Sequence, residues 1–212
     1  SGEGLETAGF LDELPPVTVA AQGAATAAGD TVGPWRLQRL LGEGGMGSVW
    51  LAERADGSLK RPVALKLPRM SWAQGLPERM ARERDILATL EHPGIARLYD
   101  AGMDSLGRPW LALQWVEGEA IDAWVRSRSL STRACVELLL QVCDAVAYAH
   151  GRLVVHRDLK PANVLVDGQG RAVLLDFGIA RLLDDGLPGD GDLTALVGRA
   201  LTPAYASPEQ LR

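Results

Sequence analysis

From Trp35 the chain alternates apolar and polar positions with a period of two. It breaks at Gly42, Gly44, Gly45 and Gly47, then resumes as Val49-Trp50-Leu51-Ala52 up to an Asp56-Gly57 turn. Alternation sends successive side chains to opposite faces, so this stretch predicts a hairpin of two strands with a glycine-rich tip. Val63-Ala64-Leu65-Lys66 predicts a third strand. The period then changes: Ile86, Leu87 and Leu90 share a helical face over about Pro77 to Leu90, and His92-Pro93-Gly94 ends that helix because the residue before a proline avoids the helical region. Ile95 to Asp100 and Pro109 to Trp115 predict two more strands around an Asp104-Ser105-Leu106-Gly107 turn. Residues 119–150 predict two helices. The second, from about Ser131 to His150, carries Val136, Leu139, Leu140, Cys143, Val146 and Ala147 on one stripe and is expected to face the core. Val164 to Val166 and Val173 to Leu175 predict a small hairpin, and the Gly- and Asp-rich residues 179–206 a long loop.

Composition changes this picture mainly at the N-terminus. Residues 1–33 are rich in Ala, Gly and Thr, contain Glu3, Glu6, Asp12, Glu13 and Asp30, and have no Lys or Arg, which predicts a flexible acidic arm. Of the net charge of -5, that arm accounts for all; 22 acids face 22 bases in the remainder, which is no nucleic-acid footprint. No apolar run approaches the roughly 20 residues of a membrane span, and the N-terminus lacks the order of a secretory signal, so a cytoplasmic location is expected. Cys135 and Cys143 are eight positions apart on a predicted helix, about 12 Å of rise, too far to pair.

The chemistry lies in His156-Arg157-Asp158-Leu159-Lys160-Pro161-Ala162-Asn163 and, further on, Asp176-Phe177-Gly178. Asp158 can accept a proton and Lys160 can balance phosphate charge. Asn163 and Asp176 offer hard oxygens suited to Mg²⁺, which prefers carboxylate and substrate phosphate oxygens to a full protein cage. A glycine-rich tip that runs on into a strand, rather than into a helix as in dinucleotide folds, can close over phosphates. Lys66, embedded in an apolar strand, needs an anion: a nucleotide phosphate, or Glu83 on the following helix.

These motifs, in this order, resemble the eukaryotic-type serine/threonine protein kinases of bacteria over residues 34–212, with Ser207-Pro208-Glu209 where that family usually has Ala-Pro-Glu. The resemblance implies an α+β, bilobal protein-kinase-like fold: an N-lobe (34–114) with a five-stranded antiparallel sheet and one main helix, a hinge (114–118) and a mainly helical, here incomplete, C-lobe (119–212). It implies ATP and Mg²⁺, or Mn²⁺, as cofactors and a protein as substrate. Asp158 would orient the substrate hydroxyl and take its proton, Lys160 would neutralise the moving phosphoryl group, and Asn163 and Asp176 would hold the metal. Lys66 would hold the α and β phosphates and be held by Glu83. Leu41, Gly42, Glu43, Gly44, Gly45, Met46 and Gly47 would cover the nucleotide. Val49, Ala64 and Leu165 would sandwich adenine, with Leu113 behind it and Gln114 and Val116 along its edge. Leu87, Leu98, His156 and Phe177 would stack as a spine. Lys160 and Thr202 fit serine/threonine specificity, and Arg157 fits a loop switched by phosphorylation at Thr194, with Thr202 structural.

One departure stands out. The sequence stops just after the substrate-loop motif, so the helices that complete the large lobe are expected to be absent and the stripe of 131–150 to lose much of its cover. A piece that binds nucleotide with little turnover, and a small-molecule phosphotransferase of related fold, remain alternatives; a homodimer is left open.

Overall fold

The structure, a computed structural model, describes residues 26–44, 47–59, 61–68, 84–85, 87–177 and 203–206. Two antiparallel sheets organise them. The first contains β1 (Thr31–Val32), β2 (Trp35–Gly44), β3 (Gly47–Arg54), β4 (Val63–Pro68), β5 (Leu98–Met103) and β6 (Pro109–Gln114), in the order β1-β2-β3-β4-β6-β5. The five expected strands are therefore joined by a sixth. It lies within the stretch 1–33 that the sequence assigns to an arm: Thr31 and Val32 pair with Arg36 and Trp35, and Val32 is buried. Composition hides this strand because two residues are too few to show a period. Residues 1–25 lie outside the described residues.

Pairing register gives this sheet two distinct faces. Trp50 stands opposite Leu65, and Leu65 opposite Ala112, so these share a face with Trp35, Leu37, Ala52, Val63 and Trp110 in a small core of their own. Trp110 is packed so closely that a Cβ on Gly33, already at φ +54°, would come within 2.6 Å of its indole nitrogen. The opposite face carries Val49, Ala64, Lys66, Leu111 and Leu113, since Val49 pairs with Lys66, Ala64 with Leu113 and Lys66 with Leu111.

After Gln114 the chain enters β7 (Gly118–Ala120), then α1 (Ile121–Arg128) and α2 (Thr132–His150). Ser131 caps α2, its side chain accepting from the Ala134 amide at 3.3 Å. The second sheet, in the order β7-β8-β9, adds β8 (Val164–Asp167) and β9 (Ala172–Leu174). Residues 84, 85, 87 and 88 are helical, in agreement with the expected helix before His92. The strand expected at Ile95 begins at Leu98 instead, because Ile95 is taken by a parallel bridge to Leu174.

Helix α2 buries the face opposite to the one the sequence assigns to the core. Leu138, Val142, Ala145 and Ala149 are buried, whereas Val136, Leu139 and Leu140 are 49%, 56% and 62% exposed. Both faces of this helix are apolar, so periodicity alone does not say which one the sheet takes. Among the described residues no helix is long and apolar enough to cross a membrane, and Cys135 and Cys143 are unpaired with each other.

Candidate active site

Two local devices build the loop at 156–163. Lys160 precedes Pro161 and is held extended, at φ −152° and ψ 162°. Pro161 then opens a 3₁₀ turn over Pro161–Asn163, in which the Asn163 amide bonds the Lys160 carbonyl at 2.9 Å. The turn folds Asn163 back on the loop, and its Nδ2 donates to the Asp158 carbonyl at 2.8 Å and to Asp158 Oδ2 at 3.2 Å. Lys160 Nζ reaches the same carboxylate at 2.7 Å. Since the Asn163 amide nitrogen is spent on Asp158, its carbonyl oxygen is the atom that side chain can offer a cation.

Asp176 arrives from the other direction, at the end of β9. The Leu175 N–H donates to the Asn163 carbonyl at 2.8 Å, and His156 Nε2 donates to the Leu175 carbonyl at 2.7 Å. These bonds tie Asp176 to the Asp158 loop. Lys66, buried on β4, ties it to the first sheet, with Nζ 2.6 Å from Asp176 Oδ2. Lys66 and Asp176 on one side, and Asn163, Asp158 and Lys160 on the other, are thus each joined by hydrogen bonds, and the Leu175 backbone links the two groups. Arg157 and Asp176 adopt φ +67° and +59°, a left-handed conformation that non-glycine residues enter at a cost of about 1 kcal/mol or more. Burial pushes the His156 imidazole below its usual pKa, against the Leu175 carbonyl, Asp176 and Asp158, which favour its charged form. Its ring packs tilted, at 59°, against Phe177 with centroids 4.6 Å apart, and Leu87 and Leu98 join Phe177 in the same core, so the four expected spine residues are all buried.

The glycine-rich hairpin closes through Gly44 opposite Gly47 and Glu43 opposite Ser48. Gly47 has φ +132°, and a Cβ there would meet the Leu67 carbonyl at 2.1 Å, so only glycine fits. Leu41 sits in a bulge between Leu40 and Gly42. Val49, Ala64 and Leu113 line the face that carries Lys66 and are only partly buried. Leu165 lies on β8, between Ala120 and Val173. Gln114 bonds Arg97 through its backbone N–H at 2.7 Å, and Val116 follows before β7. Gly45, Met46, Glu83, Thr194 and Thr202 lie outside the described residues, and with Glu83 the expected Lys66–Glu83 pair.

Sequence reasoning missed the partners that hold this arrangement. The Leu175 carbonyl carries no side-chain signal. Gln141, which bonds the β8–β9 hairpin, does carry one: it is a lone amide between Leu140 and Val142. Among the described residues no group of three or more His, Cys, Asp or Glu is placed to hold a metal. The donor set at the site, one carboxylate and one amide oxygen, fits a hard cation that completes its shell with phosphate and water.

The sequence profile described as Protein kinase domain matches residues 35–212. The chain is 40% identical over 190 residues to serine/threonine-protein kinase PknJ of Mycobacterium tuberculosis, covering 87% of this chain and 31% of PknJ. To serine/threonine-protein kinase pkn2 of Myxococcus xanthus it is 38% identical over 184 residues, covering 84% of this chain and 21% of pkn2. It thus spans about a third or less of those two relatives. Among solved structures, the M. tuberculosis PknI kinase domain superposes with a TM-score of 0.63 at 31% identity, covering 83% of this chain and 74% of that one.

Proposed function

We propose that this chain, which belongs to the protein kinase family and within it to the bacterial serine/threonine kinases of eukaryotic type, moves the terminal phosphoryl group of ATP to serine and threonine hydroxyls of proteins, its own included. Protein kinases as a family use ATP and Mg²⁺. The observation that supports the reading for this chain is the linkage of Lys66 to Asp176, of Asn163 and Lys160 to Asp158, and of the two groups to each other through the Leu175 backbone.

Each residue has a task that follows from its surroundings. Asp158, held by Asn163 and Lys160, is the carboxylate that orients the hydroxyl and accepts its proton. Lys160 carries the positive charge that the moving phosphoryl group needs beside it. Lys66 lies on the face lined by Val49, Ala64 and Leu113, so a base packed on those side chains brings its phosphates to the ammonium. Asp176 and the side-chain amide oxygen of Asn163 would hold Mg²⁺, whose charge, when it is bound, draws electrons from the phosphate oxygens.

The test is transfer of label from [γ-³²P]ATP to protein. Asp158→Asn should lower the rate by about 10²-fold or more while nucleotide still binds, and Lys66→Met should lose transfer to a similar extent. Wild-type transfer by Asp158→Asn, or label found mainly on tyrosine, would refute the assignment. A second reading, nucleotide binding with little turnover, is favoured by the exposure of Val136, Leu139 and Leu140 on a helix that needs cover; it predicts nucleotide binding without transfer in the unsubstituted chain.

A further inference from the structure

We infer that Gln141, an exposed residue at the edge of the sheet-facing side of α2, is a positioning residue for Asp176: its amide closes the outer edge of β9 and so fixes the register from which that carboxylate is presented. The inference rests on Asp176 being a magnesium ligand, as proposed above.

Strand β9 has three residues, too few to hold a register unaided. On its inner edge it pairs with β8, Val164 opposite Leu174 and Val166 opposite Ala172, and one step further the Leu175 N–H donates to Asn163. The amides of Ala172 and Leu174 point the other way, because alternate N–H groups leave a strand on opposite edges. At Leu174 that outer edge is met by backbone: Leu174 donates to the Gly94 carbonyl and accepts from the Ala96 amide, both at 2.8 Å. At Ala172 it is met by a side chain. Gln141 Oε1 accepts from the Ala172 N–H at 2.9 Å, and Gln141 Nε2 donates to the Gly170 carbonyl at 3.4 Å.

A donor at one end and an acceptor at the other fix the orientation of the amide. It stands where the peptide group of a neighbouring strand would stand. Ala172 is buried, so without Gln141 its N–H loses the partner it has in this fold. Asp176 comes four residues later, in a left-handed conformation that persists only where the flanking chain over-determines it. Fraying at Ala172 would loosen the strand that delivers it.

The experiment compares Gln141→Met, which keeps length and removes both polar atoms, with Gln141→Glu, which keeps the acceptor for Ala172. Amide exchange is read over residues 170–177, and binding of a fluorescent ATP analogue is titrated with Mg²⁺. For Gln141→Met we expect exchange at Ala172 about tenfold faster or more. The Mg²⁺ concentration for half-maximal binding should rise several-fold, with binding in the absence of Mg²⁺ unchanged. Gln141→Glu should restore both. Wild-type exchange and Mg²⁺ dependence in Gln141→Met would overturn the inference, as would a Gln141→Glu protein impaired like the methionine variant. Asp176→Asn separates the two readings: if it keeps wild-type Mg²⁺ dependence, the metal-ligand assignment fails by itself, and the clamp then stands or falls on exchange at Ala172.

Discussion

Lys66 and Asp176 hold each other at 2.6 Å, and so do Lys160 and Asp158 at 2.7 Å, so each charge needed around a phosphate already has a counter-ion within the chain. A desolvated ammonium such as Lys66 is tolerable only in that condition. Binding of a metal and a phosphate exchanges one set of partners for another instead of exposing bare charge. His156 sits between the two carboxylates and is kept neutral by burial. Its Nε2–H serves the Leu175 carbonyl, and its Nδ1 is within 3.4 Å of the Asp158 amide. Because burial lowers the folded-state pKa beneath the ordinary value of 6.5, the unfolded chain binds the proton first as pH falls. The stability that the neutral ring contributes is therefore complete above about pH 6.5 and is lost progressively below it. His156→Phe should flatten the dependence of the unfolding midpoint on pH between about 6.5 and 5. A variant whose midpoint falls with acid as steeply as the wild type would show that this imidazole is not the titrating group.

At the scale of elements, α2 shows how far pattern reading reaches. The helix and its limits near Ser131 and His150 follow from residue type and period, whereas its buried face does not. Leu138 and Leu140 have the same chemistry, yet the sheet takes one and leaves the other 62% exposed. That choice is a tertiary fact, made by where β9 and Ile95 lie. Leu138→Ala should cost about 2–5 kcal/mol in chemical denaturation, whereas Leu140→Gln should stay within about 0.5 kcal/mol and raise solubility. Equal losses at the two positions would mean that the face bearing Leu140 is covered. The site divides in the same way. His156 to Asn163, Asp176 and Lys66 can be picked out because each needs a particular side chain. The contacts that bring them together run through the backbone of Leu175, Asn163 and Gly94, where any residue can serve. Gly47 lies between these cases, since the Leu67 carbonyl leaves room for nothing larger.

Across the whole molecule, the segment 90–97 joins the two sheets. It leads into β5 of the first sheet, and its own bonds reach α2 and the second sheet as well as Gln114 of β6. The Glu91 amide donates to the Tyr148 hydroxyl at 3.2 Å, His92 Nε2 lies 3.2 Å from Asp144 Oδ2, and Gly94 and Ala96 flank Leu174. Leu90 and Ile95 are buried in one core with Leu98 and Leu111 of the first sheet, Leu138 and Val142 of α2, and Val164 and Leu174 of the second sheet. A core shared in this way makes the two sheets one cooperative unit, although the tryptophan-rich face of the first sheet has a core to itself. Two probes can follow the two parts: three of the six tryptophans, Trp35, Trp50 and Trp110, lie in the core of the first sheet and weight the fluorescence toward it, while among the described residues the helical circular dichroism comes largely from α1 and α2. In the wild type the two denaturation curves should coincide. Ile95→Ala removes side-chain volume at the junction and should lower stability by about 2–4 kcal/mol, with both curves moving together. If fluorescence and dichroism separate in the wild type, or only one of them responds to Ile95→Ala, the sheets unfold independently. In that case the placement of Lys66 against Asp176 would be a docking equilibrium between two bodies and not a property of one fold.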